Sequence, residues 1–264
     1  MSFRYCPLYS GSSGNAALLS TGRISLLVDA GLTGKAIVAG LKEARCLPES
    51  LSGILITHEH SDHIKGAGVL SRKYDLPIYA NAPTWEAMER QIGAVAPRNV
   101  RIFETGHEFI LGDIAIMPYS IPHDAAEPVG YSFFHRGCKV SQMTDLGHIT
   151  AEVLQNVAES DLLLLESNHD VDMLRAGPYP YALKQRILSG KGHLSNDTAG
   201  EACVRLMRLG VRRFILGHLS GENNLEPLAY STVAQAIADA GARIGADADL
   251  YLAHRDRPTA VFEL

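Results

Sequence analysis

The sequence predicts an α/β fold in which sheets pack together and helices cover the outside. Three observations carry this expectation. Apolar strand-like runs alternate with amphipathic helix-like runs from end to end. The strand-like runs are short, and several are joined by tight turns. No internal repeat or low-complexity linker divides them, so residues 1–264 are read as one domain.

The elements follow in order. Ala17-Leu18-Leu19 and Ile24 to Val28 read as paired strands joined by Ser20-Thr21-Gly22-Arg23. Thr33 to Ala44 reads as a helix, with Thr33 as its N-cap and Ile37, Val38 and Leu41 on one face. Gly53 to Ile56 is a strand, and a helix is expected from about Asp62 to Tyr74. Short strands follow at Ile78-Tyr79, Val100 to Phe103, Glu108 to Leu111 and Ile114 to Tyr119. Gly112-Asp113 turns the last two into a hairpin, and Arg136-Gly137 does the same for Tyr131 to His135 and Lys139 to Met143. Helices at Ala151 to Ala158, Asn196 to Leu209 and Pro227 to Ala240 then alternate with strands at Leu162 to Leu165 and Phe214 to Leu216.

The 46% apolar and 20% charged composition is that of an ordinary globular protein. No run of eighteen apolar residues occurs, and Met1 to Pro7 lacks the long apolar core of a secretory signal. Cys6, Cys46, Cys138 and Cys203 are scattered without a CxxC pair, as idle thiols of a reducing compartment are, so a cytoplasmic protein is expected. The net charge of −5 argues against non-specific coating of nucleic acid. It leaves room for a local anion site, because paired divalent cations can outweigh the carboxylates that hold them.

The segment Thr57-His58-Glu59-His60-Ser61-Asp62-His63 follows the apolar run Ile54-Leu55-Ile56 and holds three of the chain's 11 histidines. Alternation along an extended chain turns His58 and His60 to one side and Glu59 to the other. Asp62 and His63 come at the following turn, where they can face a second metal. His123 follows Tyr119-Ser120-Ile121-Pro122, Asp145 follows Met143-Thr144, and His218 follows Phe214-Ile215-Leu216-Gly217. Each alone would be an ordinary hydrogen-bonding residue. With His58, His60, Asp62 and His63 they make seven N/O ligands, enough for two divalent ions with open positions for water and substrate. Zinc or manganese suits such ligands, and iron is compatible.

With these residues the chain resembles the metallo-β-lactamase fold superfamily, whose HxHxDH signature matches His58, His60, Asp62 and His63 without a gap. The resemblance implies a four-layer αββα sandwich. It also implies that His58, His60 and His123 bind one metal, that Asp62, His63 and His218 bind the other, and that Asp145 bridges them. Asp29 is similar to an early aspartate that supports the metal loop by hydrogen bonding. Ser10-Gly11-Ser12-Ser13-Gly14-Asn15, Glu166-Ser167-Asn168-His169-Asp170, Leu183-Lys184-Gln185-Arg186-Ile187 and Gly192-His193-Leu194-Ser195-Asn196 resemble the YycJ/WalJ-like exonuclease branch. His169 stands where that branch often has a tyrosine. His193 also resembles the extra catalytic histidine of the superfamily's tRNA-processing nucleases.

The expected function is dinuclear-metal-dependent phosphodiester hydrolysis, as a DNA exonuclease with a metal-activated hydroxide nucleophile. Asp62 and His193 are the candidate catalytic residues, with His193 protonating the leaving oxygen or clamping a phosphate oxygen. Lys184 and Arg186, with Lys191, are candidate contacts to the substrate backbone; a solvated helix face has the same pattern. Nucleic acid, DNA before RNA, is the expected partner, and no membrane is. The alternative is hydrolysis of a small ester, thioester or cyclic nucleotide on the same centre. An iron-based redox protein of this fold would carry glutamate at position 60, which is histidine here. Ser10 to Asn15 reads as a phosphate cradle or a plain turn, and Asn223 and Asn224 as braces or helix caps. His107, His135, His148 and His254 have no partner pattern, and Trp85 reads as core.

Overall fold

Successive leucines in the strands face different cores, so both sides of each sheet are buried. In Leu162 to Leu165, Leu162 and Leu164 point to one cluster while Leu163 and Leu165 point to another. Such continuous apolar runs are what strands covered on both faces require. The computed structural model describes residues 2–264.

The strands are β1 (Arg4–Tyr9), β2 (Ala16–Ser20), β3 (Ser25–Val28), β4 (Gly53–Leu55), β5 (Ile78–Ala80), β6 (Val100–Ile102) and β7 (Phe109–Leu111), then β8 (Ile114–Ser120), β9 (Val129–His135), β10 (Cys138–Met143), β11 (Leu162–Glu166), β12 (Arg213–Gly217), β13 (Asp249–Leu252) and β14 (Phe262–Glu263). They form two seven-stranded sheets, ordered β14-β1-β2-β3-β4-β5-β6 and β13-β12-β11-β10-β9-β8-β7. The helices are α1 (Gly34–Glu43), α2 (Ser61–Ile64), α3 (Ala67–Tyr74), α4 (Ala82–Ile92), α5 (Ala151–Val157), α6 (Val171–Ala176), α7 (Tyr181–Ile187), α8 (Asn196–Arg208) and α9 (Glu226–Asp239).

Three apolar layers hold these elements. Phe3, Tyr5, Leu19, Leu26, Phe133 and Leu164 fill the space between the sheets. Ile37 and Leu41 of α1, Leu70 of α3, and Trp85 and Met88 of α4 cover the outside of the first sheet. Val153 of α5, Leu206 of α8, and Val233 and Ile237 of α9 cover the second. The result is the four-layer αββα sandwich that the family resemblance implies.

Both predicted hairpins form. Leu111 pairs with Ile114 around Gly112, at φ 60°, and His135 pairs with Cys138 around Arg136 and Gly137, at φ 51° and 84°. In the second hairpin the consecutive left-handed Arg136 and Gly137 fit the right-handed twist of the flanking strands. The expected helix from Asp62 to Tyr74 is instead two helices, α2 and α3. Gly66 separates them: its N–H donates to Ala30 O at 2.7 Å, and a Cβ there would meet Leu32 O at 2.5 Å. The break lets the metal loop turn tightly against the end of β3. Strands β1, β13 and β14 and helices α4 and α6 had no counterpart in the sequence reading, while α7 forms where a helix face was the alternative for Lys184 and Arg186.

The topology gathers the chemistry at one edge. β3 runs parallel to β4, and β10, β11, β12 and β13 run parallel to one another. Their C-terminal ends therefore lie side by side, and Asp29, the histidine loop, Asp145, Glu166 and His218 leave from them.

Candidate metal centre

Three of these side chains hang on left-handed backbone. Asp29, Asp145 and His218 have φ of 60°, 60° and 54°. Each follows a strand end, where such a turn reverses the chain and points the side chain back across the edge. Non-glycine residues there carry about 1–3 kcal/mol of strain, which persists mainly where function holds it.

The histidine loop is clamped from below. Asp29 accepts from Thr57 N at 2.9 Å, from Thr57 Oγ1 at 3.0 Å and from His63 Nδ1 at 2.8 Å. Asn15 N donates to Asp62 O at 2.8 Å and Ala30 N to His63 O at 2.7 Å. A Cβ on Gly31 would lie 1.6 Å from Asp62 O, so only glycine permits this approach. Glu59 turns away from the other side chains of its loop and accepts from Ala126 N at 2.8 Å, tying the loop to the segment after His123.

Two sets of ligand atoms result. His60 Nδ1 lies 3.0 Å from His58 Nε2 and 3.3 Å from His123 Nε2. The second set joins Asp62, His63, Asp145 and His218. In it, His63 Nε2 lies 3.2 Å from Asp145 Oδ2 and 3.5 Å from Asp62 Oδ2, and His218 Nε2 lies 3.7 Å from Asp62 Oδ2. Asp145 stands between the sets, with Oδ1 4.0 Å from His123 Nε2. All seven predicted ligands are thus brought together.

The donor set fits divalent cations. His63, His123 and His218 each commit Nδ1 to an acceptor, namely Asp29 Oδ2, Gly192 O at 3.2 Å and Glu166 Oε1 at 2.9 Å. That fixes the tautomer and turns Nε2 toward the centre, the usual outer support of a metal ligand, although His63 Nε2 also meets Asn15 Nδ2 at 3.1 Å. His218 Nε2 and Asp145 Oδ2 are buried without a hydrogen-bond partner. Buried unpaired polar atoms cost free energy, which a cation removes. The charge balance agrees. Burial alone would lower His218, but Asp145, Asp62 and Glu166 raise it to about 10. Burial likewise opposes charge on His63, yet Asp145, Asp29 and Asp62 raise it well above its usual value. In the metal-free chain, protons occupy the place that a cation's charge would fill.

Glu166 was missed as a site residue. It is fully buried, and its Oε1 accepts from His193 Nδ1 at 2.8 Å and from His218 Nδ1 at 2.9 Å. Its Oε2 accepts from Leu146 N at 3.0 Å and Leu194 N at 3.2 Å. Burial would raise Glu166, but His193 and His218 hold it down at about 2. Asp145, Glu166, His193 and His218 also form a compact cluster. Because both imidazoles turn Nδ1 to Glu166, we read it as a hydrogen-bond network behind the centre.

The predicted substrate contacts separate. Arg186 of α7 forms a two-point pair with Asp124 (Nη2 to Oδ1 at 3.0 Å), and Asp124 Oδ1 lies 3.5 Å from His123 Nε2. Lys184 Nζ donates instead to Arg175 O at 2.7 Å, and no contact joins it to the histidines. The remaining polar residues act locally. Asn224 donates to Ser167 O, Asn168 O and Asn196 Oδ1 and accepts from Leu225 N, so it braces these loops, whereas the start of α9 has no side-chain cap. His135 and His148 donate to backbone carbonyls, while His107 and His254 face Glu104 and Glu226. Trp85 is buried in the outer core.

A model of the beta-lactamase superfamily domain matches residues 25–219. The chain belongs to the metallo-β-lactamase superfamily. Within the superfamily it lies in the WalJ/YycJ-like branch. It is 44% identical to exodeoxyribonuclease WalJ of Streptococcus pneumoniae over 264 residues, which is 99% of this chain and 98% of that protein. It is 41% identical to exodeoxyribonuclease YycJ of Bacillus anthracis over 261 residues, 99% of each. The metallo-β-lactamase fold protein YhfI from Bacillus subtilis superposes with a TM-score of 0.76 over 100% of both chains at 18% identity, which shows the shared superfamily fold.

Proposed function

We propose that this chain is a metal-dependent DNA exonuclease whose reaction takes place at the His/Asp centre on the edge of the sandwich. The observation that carries DNA as substrate is the near-full-length identity to proteins named exodeoxyribonucleases. The geometry supports two ions, zinc or manganese, one at His58, His60 and His123 and one at Asp62, His63 and His218, with Asp145 between them. Metals held by these residues would supply an acidified water as nucleophile and would neutralise charge on the attacked phosphoryl group.

The remaining steps belong to side chains. Asp62 holds its place through the backbone clamp from Asn15 and Gly31 and orients the attack. His193 gives its Nδ1–H to Glu166, which leaves Nε2 to hold or deliver a proton at the departing oxygen. Glu166 also stabilises the charged imidazole. Arg186, beside His123, is the cation placed to meet a substrate phosphate, in exchange for Asp124. The four free cysteines accord with a reducing, cytoplasmic setting.

Metal analysis of the purified protein, followed by digestion of 5′- and 3′-end-labelled DNA and RNA oligonucleotides beside chromogenic esters, tests this reading. Metal-dependent release of mononucleotides from DNA is expected. Ester turnover without DNA cleavage would overturn it.

A further inference from the structure

The glycine-rich turn Ser10 to Asn15 is fixed at both ends: Ser10 Oγ accepts from His218 N at 2.8 Å, and Asn15 N donates to Asp62 O. Asn15 touches Asp62 and His63, and Gly11 bridges to Leu219, next to His218. The turn is therefore the wall of the centre on the Asp62/His63/His218 side. Ser12 and Ser13 at its tip are exposed.

Arg255 lies across this wall. It leaves the same edge of the sandwich, just past β13, whose parallel neighbour β12 ends at Gly217, directly before His218. Its seat is shaped by two glycines. A Cβ on Gly11 would lie 2.7 Å from Arg255 Cγ, and one on Gly221 would lie 2.5 Å from Arg255 Nη1. A side chain at either position would displace the arginine. Nearby acids are engaged elsewhere: Glu226 faces His254, and Asp256 faces Arg257. Glu222, beside Gly221, is exposed and forms no ion pair with Arg255. Among the described residues the Arg255 guanidinium has no hydrogen-bonded or ion-paired partner, in a chain with an excess of acids. Arg186 stands on the opposite, His58/His60/His123 side of the centre.

We propose that Arg255, with the Ser12 and Ser13 hydroxyls, forms a second phosphate-binding subsite that holds a backbone phosphate of the nucleic acid strand away from the scissile bond. This rests on the nuclease reading above. With Arg186 on the other side, a strand crossing the centre is held by its backbone at two points. Such contacts carry no base information, so digestion is indifferent to sequence.

The test uses the metal-loaded full chain with single-stranded oligothymidylate and with bis(4-nitrophenyl) phosphate, which has a single phosphate. Arg255→Ala should raise KM for the oligonucleotide about tenfold with kcat within about twofold, as loss of one charge-assisted contact does. It should reduce the salt slope of oligonucleotide binding by about 0.7. KM for the single-phosphate diester should change less than twofold. Arg255→Lys should recover part of the loss, and Gly221→Ala, which unseats the guanidinium, should reproduce part of it. An unchanged oligonucleotide KM and salt slope in an active protein overturns the proposal. So does an equal loss on both substrates together with a lowered Tm, which would mark Arg255 as structural. If the wild-type protein fails on the oligonucleotide but turns over the small diester, the nuclease reading itself falls.

Discussion

Glu166 Oε1 stands 2.8 Å from His193 Nδ1, inside a site where Glu166 is fully buried. The same oxygen receives His218, so one carboxylate orients both the candidate proton donor and a candidate ligand. Glu166→Gln should lower kcat about 10–100-fold at saturating metal, the usual loss when an outer support of such a site is removed. Full activity at saturating metal would break the link between Glu166 and catalysis.

His193→Ala should lower kcat about 10²–10⁴-fold while the metal content is kept. Combined with Glu166→Gln, the loss should be much less than the product of the two, because they act as one unit. Steady-state kinetics beside metal analysis of the three variants checks this.

Asp29 anchors the histidine loop. Asp29→Ala would leave Thr57 N, Thr57 Oγ1 and His63 Nδ1 without their acceptor. An unmet buried donor costs about 1–3 kcal/mol, and because Thr57 Oγ1 keeps His58 Nδ1 and His63 Nδ1 within 3.0 and 3.2 Å, a loss of about 1–3 kcal/mol is expected in urea unfolding.

Metal binding should release protons. His63 and His218 are raised by surrounding carboxylates in the metal-free chain, so near neutral pH a cation must displace protons from them. Apparent affinity should therefore rise as pH rises from 6 to 8. Calorimetric titration in buffers of different ionisation enthalpy should show net proton release, and an absence of buffer dependence would contradict it.

His169 gives a pH dependence of stability. Burial pushes its imidazole down from 6.5 to about 4, with Glu166 opposing and His193 adding to the shift. Above about pH 6.5 neither the folded nor the unfolded chain protonates it. As pH falls from 6.5 to 4 the unfolded chain gains a proton that the folded chain refuses, so stability is lost across that window. The loss reaches about 3 kcal/mol at most. His169→Phe should show a shallower decline of unfolding free energy over the same range.

The histidine loop was legible because its ligands are adjacent in sequence and follow an unmistakable strand. His123, Asp145 and His218 were legible as polar residues just past apolar runs. Glu166 has that same signal, at the end of Leu162 to Leu165, but a single acid closing a strand looks like ordinary surface. Only the parallel pairing of β10, β11 and β12 sets it between Asp145 and His218. β1 escaped notice because Pro7 interrupts its pattern, and β14 because two residues have no periodicity until they meet β1.

Local order along the chain by itself determined the fold class, both hairpins and the ligand types, since alternation and turn chemistry act between near neighbours. Tertiary structure alone decided that Gly66 splits the helix after the metal loop, that Glu166 serves two histidines, that Lys184 turns from the site and that Arg255 lies between two glycines. Those outcomes depend on which strand ends come to lie side by side, and contacts between residues so far apart in sequence leave no period to read.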